Sequence, residues 1–188
     1  MAKVYEFLAQ GFEDIEAIAP LDILRRGGVE VVTVSITNQR EVVSAHGVTM
    51  LADKIFADCN FQDADLLFLP GGLPGATNLN DFEPLCSLIV EHYKKGRKVA
   101  AICAAPLVFG NLGLVEGKKA TCYPGFENTL TGANYTAELV TIDGNIITGE
   151  GPAAALPFGY TLLEILTDNS TSREIAGGMR YLHLMGEE

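Results

Sequence analysis

Cys103 stands in the run Ala100-Ala101-Ile102-Cys103-Ala104-Ala105-Pro106. Apolar residues lead into it, and three positions later comes a proline suited to the first turn of a helix. A strand that turns at once into a helix leaves its hinge residue projecting and strained, and needs small neighbours on each side. Ala101 and Ala105 supply them. A helix N-terminus beyond the thiol would favour the thiolate and lower its pKa. In that setting a cysteine is a nucleophile or an oxidation site. Without it, a free cysteine is usually a buried structural residue. On spacing alone, both readings of Cys103 are open.

Two other segments carry polar chemistry. Glu16 opens the first expected helix, where an acid can simply complement the helix dipole. Alternatively its carboxyl lies against the Cys103 sulfur, where a thiolate would push it toward its protonated form. Gly71-Gly72 follows an apolar strand, and its G-G-x-x-G spacing is not a dinucleotide fingerprint. It is either a plain strand-ending turn or, with the Gly72 and Ala104 N–H groups, an oxyanion hole. His46, His92 and His183 are scattered without metal-ligand spacing, so no metal is expected. Cys59, Cys86, Cys103 and Cys122 lack CxxC spacing and read as reduced thiols rather than a disulfide framework.

The elements that must position these residues alternate. Residues 4–9 form an apolar strand ending at Gly11. A helix follows, capped by Asp14, with Ile15, Ile18, Leu21 and Leu24 at helical spacing. It closes at Arg25-Arg26-Gly27-Gly28, and Pro20 should bend it. Residues 30–37 are a second strand, and 41–53 a small β excursion around Gly47. The run 65–69 is continuously apolar after its first residue, Asp65, as a central parallel strand is. Residues 81–95 are expected to be helical, 98–103 a strand, and a short helix starts at Ala104. Residues 118–122 read as another strand. Asp143-Gly144 marks a hairpin between 138–142 and 145–148. Helices at 153–167 and 172–185 finish the chain. The alternation predicts an α/β fold, a mostly parallel sheet with helices on both faces. Ligands of such sheets bind beyond the carboxyl ends of the strands. Residues 11–16, Gly71-Gly72 and Cys103 all fall there, so they should converge.

Bulk properties narrow the function. With 188 residues and 48% apolar content, residues 1–188 are expected to form a single domain. There are 24 acidic and 13 basic residues, a net charge of -11, which repels a phosphate backbone and argues against nucleic acid as a partner. The longest apolar stretch, 99–110, is too short to span a bilayer and contains Pro106. Glu6 and Gln10 interrupt any signal-peptide core, so a cytoplasmic protein is expected.

Three segments together resemble the ThiJ/PfpI (DJ-one) superfamily. Gly11-Phe12-Glu13-Asp14-Ile15-Glu16 is similar to its glutamate loop, Leu69-Pro70-Gly71-Gly72 to its glycine turn, and Ala101-Ile102-Cys103-Ala104-Ala105-Pro106 to its cysteine elbow. Arg25-Arg26-Gly27-Gly28 and Gly151-Pro152 fall in matching places, so the resemblance covers nearly the whole chain. It implies a flavodoxin-like three-layer sandwich, like that of class I glutamine amidotransferases. It also implies a cofactor-free homodimer with an oxidation-prone cysteine. The implied activity is of glyoxalase or deglycase type on small reactive carbonyls or their adducts. Cys103 would attack as thiolate, Glu16 would shuttle the proton, and Gly72 and Ala104 would hold the oxyanion. The alternatives implied are a non-enzymatic redox sensor or chaperone, and an intracellular protease or amidase. The protease branch has a histidine directly after the cysteine, where this chain has Ala104. The DJ-one branch has a histidine before a proline, where this chain has Tyr123 before Pro124, with Cys122 beside it. His46 stands where that branch has an arginine. Leu21 and Leu24 are expected at the dimer interface, with Arg26 reaching the partner's pocket.

Overall fold

In the computed structural model, which describes residues 1–187, the alternation becomes a central sheet wrapped by helices. β1 (Lys3–Leu8) leads through α1 (Asp14–Arg26) to β2 (Glu30–Ser35). β3 (Glu41–Val43) and β4 (Thr49–Leu51) form a separate hairpin, and β5 (Lys54–Ile55) returns to the sheet. β6 (Leu66–Leu69), α2 (Gly75–Asp81), α3 (Glu83–Lys94), β7 (Lys98–Ile102) and α4 (Pro106–Asn111) follow. β8 (Lys119–Ala120) and β9 (Asn134–Tyr135) make a small side ladder. β10 (Val140–Asp143), β11 (Ile146–Gly149), α5 (Ala155–Leu166), α6 (Asn169–Gly178) and α7 (Tyr181–Leu184) complete the described chain.

The main sheet has seven strands in the order β10-β11-β7-β6-β1-β2-β5, parallel except for the β10–β11 hairpin. All four residues of β6 are buried, as the unbroken apolar run requires of a strand covered on both faces. α1 packs closely on α5: a Cβ added at Gly159 would lie 3.1 Å from the Pro20 Cα. The architecture is the expected flavodoxin-like α/β sheet. Strand order reverses between β1, which leads outward to β2, and β6, which leads outward to β7. That reversal opens a crevice at the carboxyl ends of the central strands. Among the described residues, no helix is long and apolar enough to cross a membrane.

Several local expectations are corrected. Glu13, not Asp14, caps α1. Ile15 and Ile18 are exposed, whereas Leu21 and Leu24 lie in the core and cannot form an interface. The cause is helical geometry: steps of three lose about 60° each, so positions 15 and 24 end on opposite faces. The expected 81–95 helix breaks at Phe82, and α3 starts at Glu83 with Pro84 in its first turn. The expected 118–122 strand shrinks to two paired residues outside the main sheet. The last helix breaks at Arg180, whose φ is 63°.

Candidate active site

The loops after β1, β6 and β7, three neighbouring strands, bring Glu16, Gly71-Gly72 and Cys103 together as expected. Cys103 follows the last residue of β7 with φ at 65°, a conformation rarely adopted by a residue with a side chain. Its N–H donates to the Gly149 carbonyl at 2.9 Å, and its carbonyl accepts from Tyr123 N–H at 2.8 Å. The hinge is therefore held from both sides against a strain of about 1–3 kcal/mol. The backbone N–H groups of Gly72 and Ala104 face the sulfur and favour its anionic form.

Glu16 is fully buried at the first turn of α1. Its Oε2 accepts from Gly71 N–H at 2.9 Å. Its Oε1 is buried without a hydrogen-bond partner. The carboxyl and the Cys103 sulfur lie side by side and interact strongly, but without a well-directed bond to Oε1. The two glycines permit this crowding. A Cβ at Gly71 would sit 2.6 Å from Glu16 Oε2 and 2.7 Å from the Cys103 Cβ. Gly72 has φ at 88°, and a Cβ there would collide with Glu13 N.

Burial pushes the Glu16 carboxyl up to about 7, helped by the nearby Glu13 charge and opposed by Cys103 and the Gly71 N–H. Burial and then the Glu16 charge push the Cys103 thiol up, against the two backbone N–H groups. This corrects the expectation of a thiol lowered by a helix N-terminus. α4 begins only at Pro106 and is six residues long, so it supplies little dipole at the sulfur.

The remaining candidates are distributed unequally. Tyr123 is 46% exposed and adjoins Cys103 through the backbone bond. Its ring lies over Gly151, where a Cβ would come within 3.0 Å. Cys122 is buried, and burial followed by the Glu127 charge pushes its thiol up to about 12. His46 lies on the rim, on the loop between β3 and β4, paired with Asp14 at 2.8 Å. Asp14 raises the histidine's pKa. Glu13, Asp14 and His46 could offer metal-ligand atoms within 4.8 Å of one another, but these groups are engaged in the rim pair and the helix cap. Arg26 ends α1 at the pole away from Cys103 and pairs with Asp22, so within one chain it does not join the cluster.

Sequence reasoning placed Glu13 and Gly71 in the converging loops but gave neither its role as a partner of Glu16. The available signal was the spacing Glu13-x-x-Glu16, which imitates a capping box. Here the second acid does not reach back to the cap. It turns to Gly71 and the sulfur.

A sequence model described as the DJ-1/PfpI family matches residues 2–165. Protein DJ-1 homolog B of Arabidopsis thaliana is 43% identical over 177 residues, covering 93% of this chain and 40% of the plant protein. The chain thus spans less than half of that relative. A protein named a deglycase from Pyrococcus horikoshii is 32% identical over 154 residues, 80% of this chain and 91% of that protein. The solved structure of a mutant DJ-1 superfamily protein from Salmonella typhimurium superposes with a TM-score of 0.91 at 34% identity, covering 95% of this chain and 98% of that one.

Proposed function

This chain belongs to the DJ-1/PfpI family, and from that premise we propose that it acts on small reactive carbonyls or their adducts, in the manner of a glyoxalase or deglycase. One observation carries the proposal: a φ-positive Cys103 beside a buried Glu16 whose Oε1 has no partner. A buried orphan oxygen costs stability, and it becomes satisfied when it takes the thiol proton and donates it back to the thiolate as a hydrogen bond. The relative named a deglycase supports the substrate class.

In this mechanism the Cys103 proton passes to Glu16 Oε1. The thiolate forms a C–S bond to the carbonyl carbon, and the carbonyl π pair moves onto oxygen. The Gly72 and Ala104 N–H groups hold that oxyanion, and Glu16 returns the proton, giving a hemithioacetal. The test is methylglyoxal turnover by the wild type and by Cys103→Ala. Loss of about 100-fold or more in the variant is expected, and equal turnover would sink the proposal.

The same orphan oxygen favours a second reading, a redox sensor. Peroxide would deliver one oxygen to the sulfur and leave as water, and protonated Oε1 would then donate to the new anionic oxygen. Assembly as a homodimer belongs to the proposal, now through the exposed Ile15 and Ile18 of α1. Sedimentation at the mass of one 20.1 kDa chain would count against it. The four free thiols suit a reducing compartment, and the proposal places the protein in the cytoplasm.

A further inference from the structure

Glu13 takes no part in the chemistry proposed for Cys103 and Glu16, yet two hydrogen bonds tie it to both ends of that site, and a third joins those ends. Its Oε2 accepts from Glu16 N–H at 2.8 Å. Its own N–H donates to the Gly71 carbonyl at 2.9 Å. Gly71 N–H closes the loop by donating to Glu16 Oε2 at 2.9 Å. The cap residue, the proton-carrying acid and the glycine turn thus form one ring of bonds, and Gly72, whose N–H faces the sulfur, is the next residue.

The choice of residue is informative. Serine, threonine, aspartate and asparagine are the favoured caps, and glutamate is not among them. Glu13 is nevertheless only 8% exposed, a carboxylate kept almost out of water. In an ordinary capping box the acid three positions on would bond the cap N–H. Here Gly71 occupies that N–H, which releases the Glu16 carboxyl to stand beside Cys103. A shorter neutral cap would satisfy the helix equally well but would put no charge near Glu16.

We propose that Glu13 is a positioning residue of the Cys103 site, locking Glu16 to the Gly71 turn and placing a second carboxylate beside it. That charge favours the protonated form of Glu16, the form in which Glu16 can donate to a thiolate. The other ionisable groups around the pair are Cys103 at the end of β7, and Asp14 with His46 on the rim, where His46 senses both Asp14 and Glu13. Of these, Glu13 is the one whose carboxylate accepts from the Glu16 backbone N–H.

The inference rests on the Cys103–Glu16 pair of the function proposed above, but it is tested without a substrate. Iodoacetamide alkylation of Cys103 would be followed by peptide mass spectrometry from about pH 5 to about pH 9, the interval around a raised carboxyl. Removing the Glu13 charge makes it easier for the pair to lose its shared proton. Glu13→Gln should therefore lower the alkylation midpoint by about half a pH unit or more, and Glu13→Asp should restore it. A purely structural cap would change melting behaviour without moving the midpoint. If Glu13→Gln does not fold, Glu13→Asp and Glu13→Ser decide, because both are favoured caps and only one is charged. A Glu13→Gln midpoint equal to the wild type, or equal midpoints for Glu13→Asp and Glu13→Ser, overturns the proposal. A shifted midpoint without methylglyoxal turnover sinks the proposed function and keeps this role; turnover with an unshifted midpoint does the reverse.

Discussion

Glu6 lies in the middle of β1, paired across the sheet with Thr33 and Phe68, with no exposed surface and no partner on either carboxyl oxygen. Burial pushes this carboxyl well above its usual range; the Arg25 charge opposes that and the Asp53 charge adds to it. A raised folded-state pKa means that the folded protein keeps a proton which the unfolded chain releases above about pH 4.5. Its contribution is fully present below that value and is lost as pH rises toward the folded pKa. The slope for one retained proton is about 1.4 kcal/mol per pH unit. Glu6→Gln has nearly the same volume and no proton to lose. Urea denaturation of both proteins at about pH 5 and about pH 7 should show the variant gaining on the wild type as pH rises across that interval, with the one-proton slope as the upper bound. Glu16, also raised, titrates in both proteins and cancels from the difference. A stability gap that is the same at both pH values would refute the reasoning, because it would mean that the buried carboxyl is already ionised or reached by water.

Three other outcomes are expected. Gly72→Ala forces a side chain into a φ of 88° and against Glu13 N, so thermal melting should report a loss of about 1–3 kcal/mol or more, together with slower Cys103 alkylation; an unchanged melt would contradict the geometry. Mild peroxide should oxidise Cys103 before the half-buried Cys59 and Cys86 or the buried Cys122, and Glu16→Ala should shift the product away from sulfinate; uniform oxidation in mass spectra would leave Cys103 an ordinary core thiol. With Ala104 after the nucleophile, no base of the protease type stands in the elbow, so casein should stay intact, and cleavage abolished by Cys103→Ser would overturn that.

The fold and the meeting of three loops were legible because they rest on strong local signals. The unbroken apolar run of β6 and the Cys103 hinge each specify their own backbone, and parallel alternation then leaves one edge where their ends can meet. What failed was whatever depends on a neighbour. Counting by threes along α1 put Ile15 and Leu24 on one stripe, although the helix turns them to opposite sides. Residues 118–122 have strand-like side chains, but the main-sheet position beside β7 is taken by β11, so they pair only briefly with β9. Glu6 read as a polar interruption and is a buried acid. Glu13 was passed over because its partners, Gly71 and Glu16, are a turn and a helix that no single stretch of sequence joins.

The Gly71–Glu16 bond spans 55 positions of sequence, and the carbonyl that accepts from Cys103 N–H belongs to Gly149 at the end of β11. Contacts so far apart close late, after β1, β6 and β7 have found their registers. During that interval a newly made chain carries its elbow thiol without the acid beside it. On the proposed chemistry, nucleophilic character at this cysteine is thus acquired only in the last stage of folding, and pulse-labelling of the thiol during refolding would time its arrival.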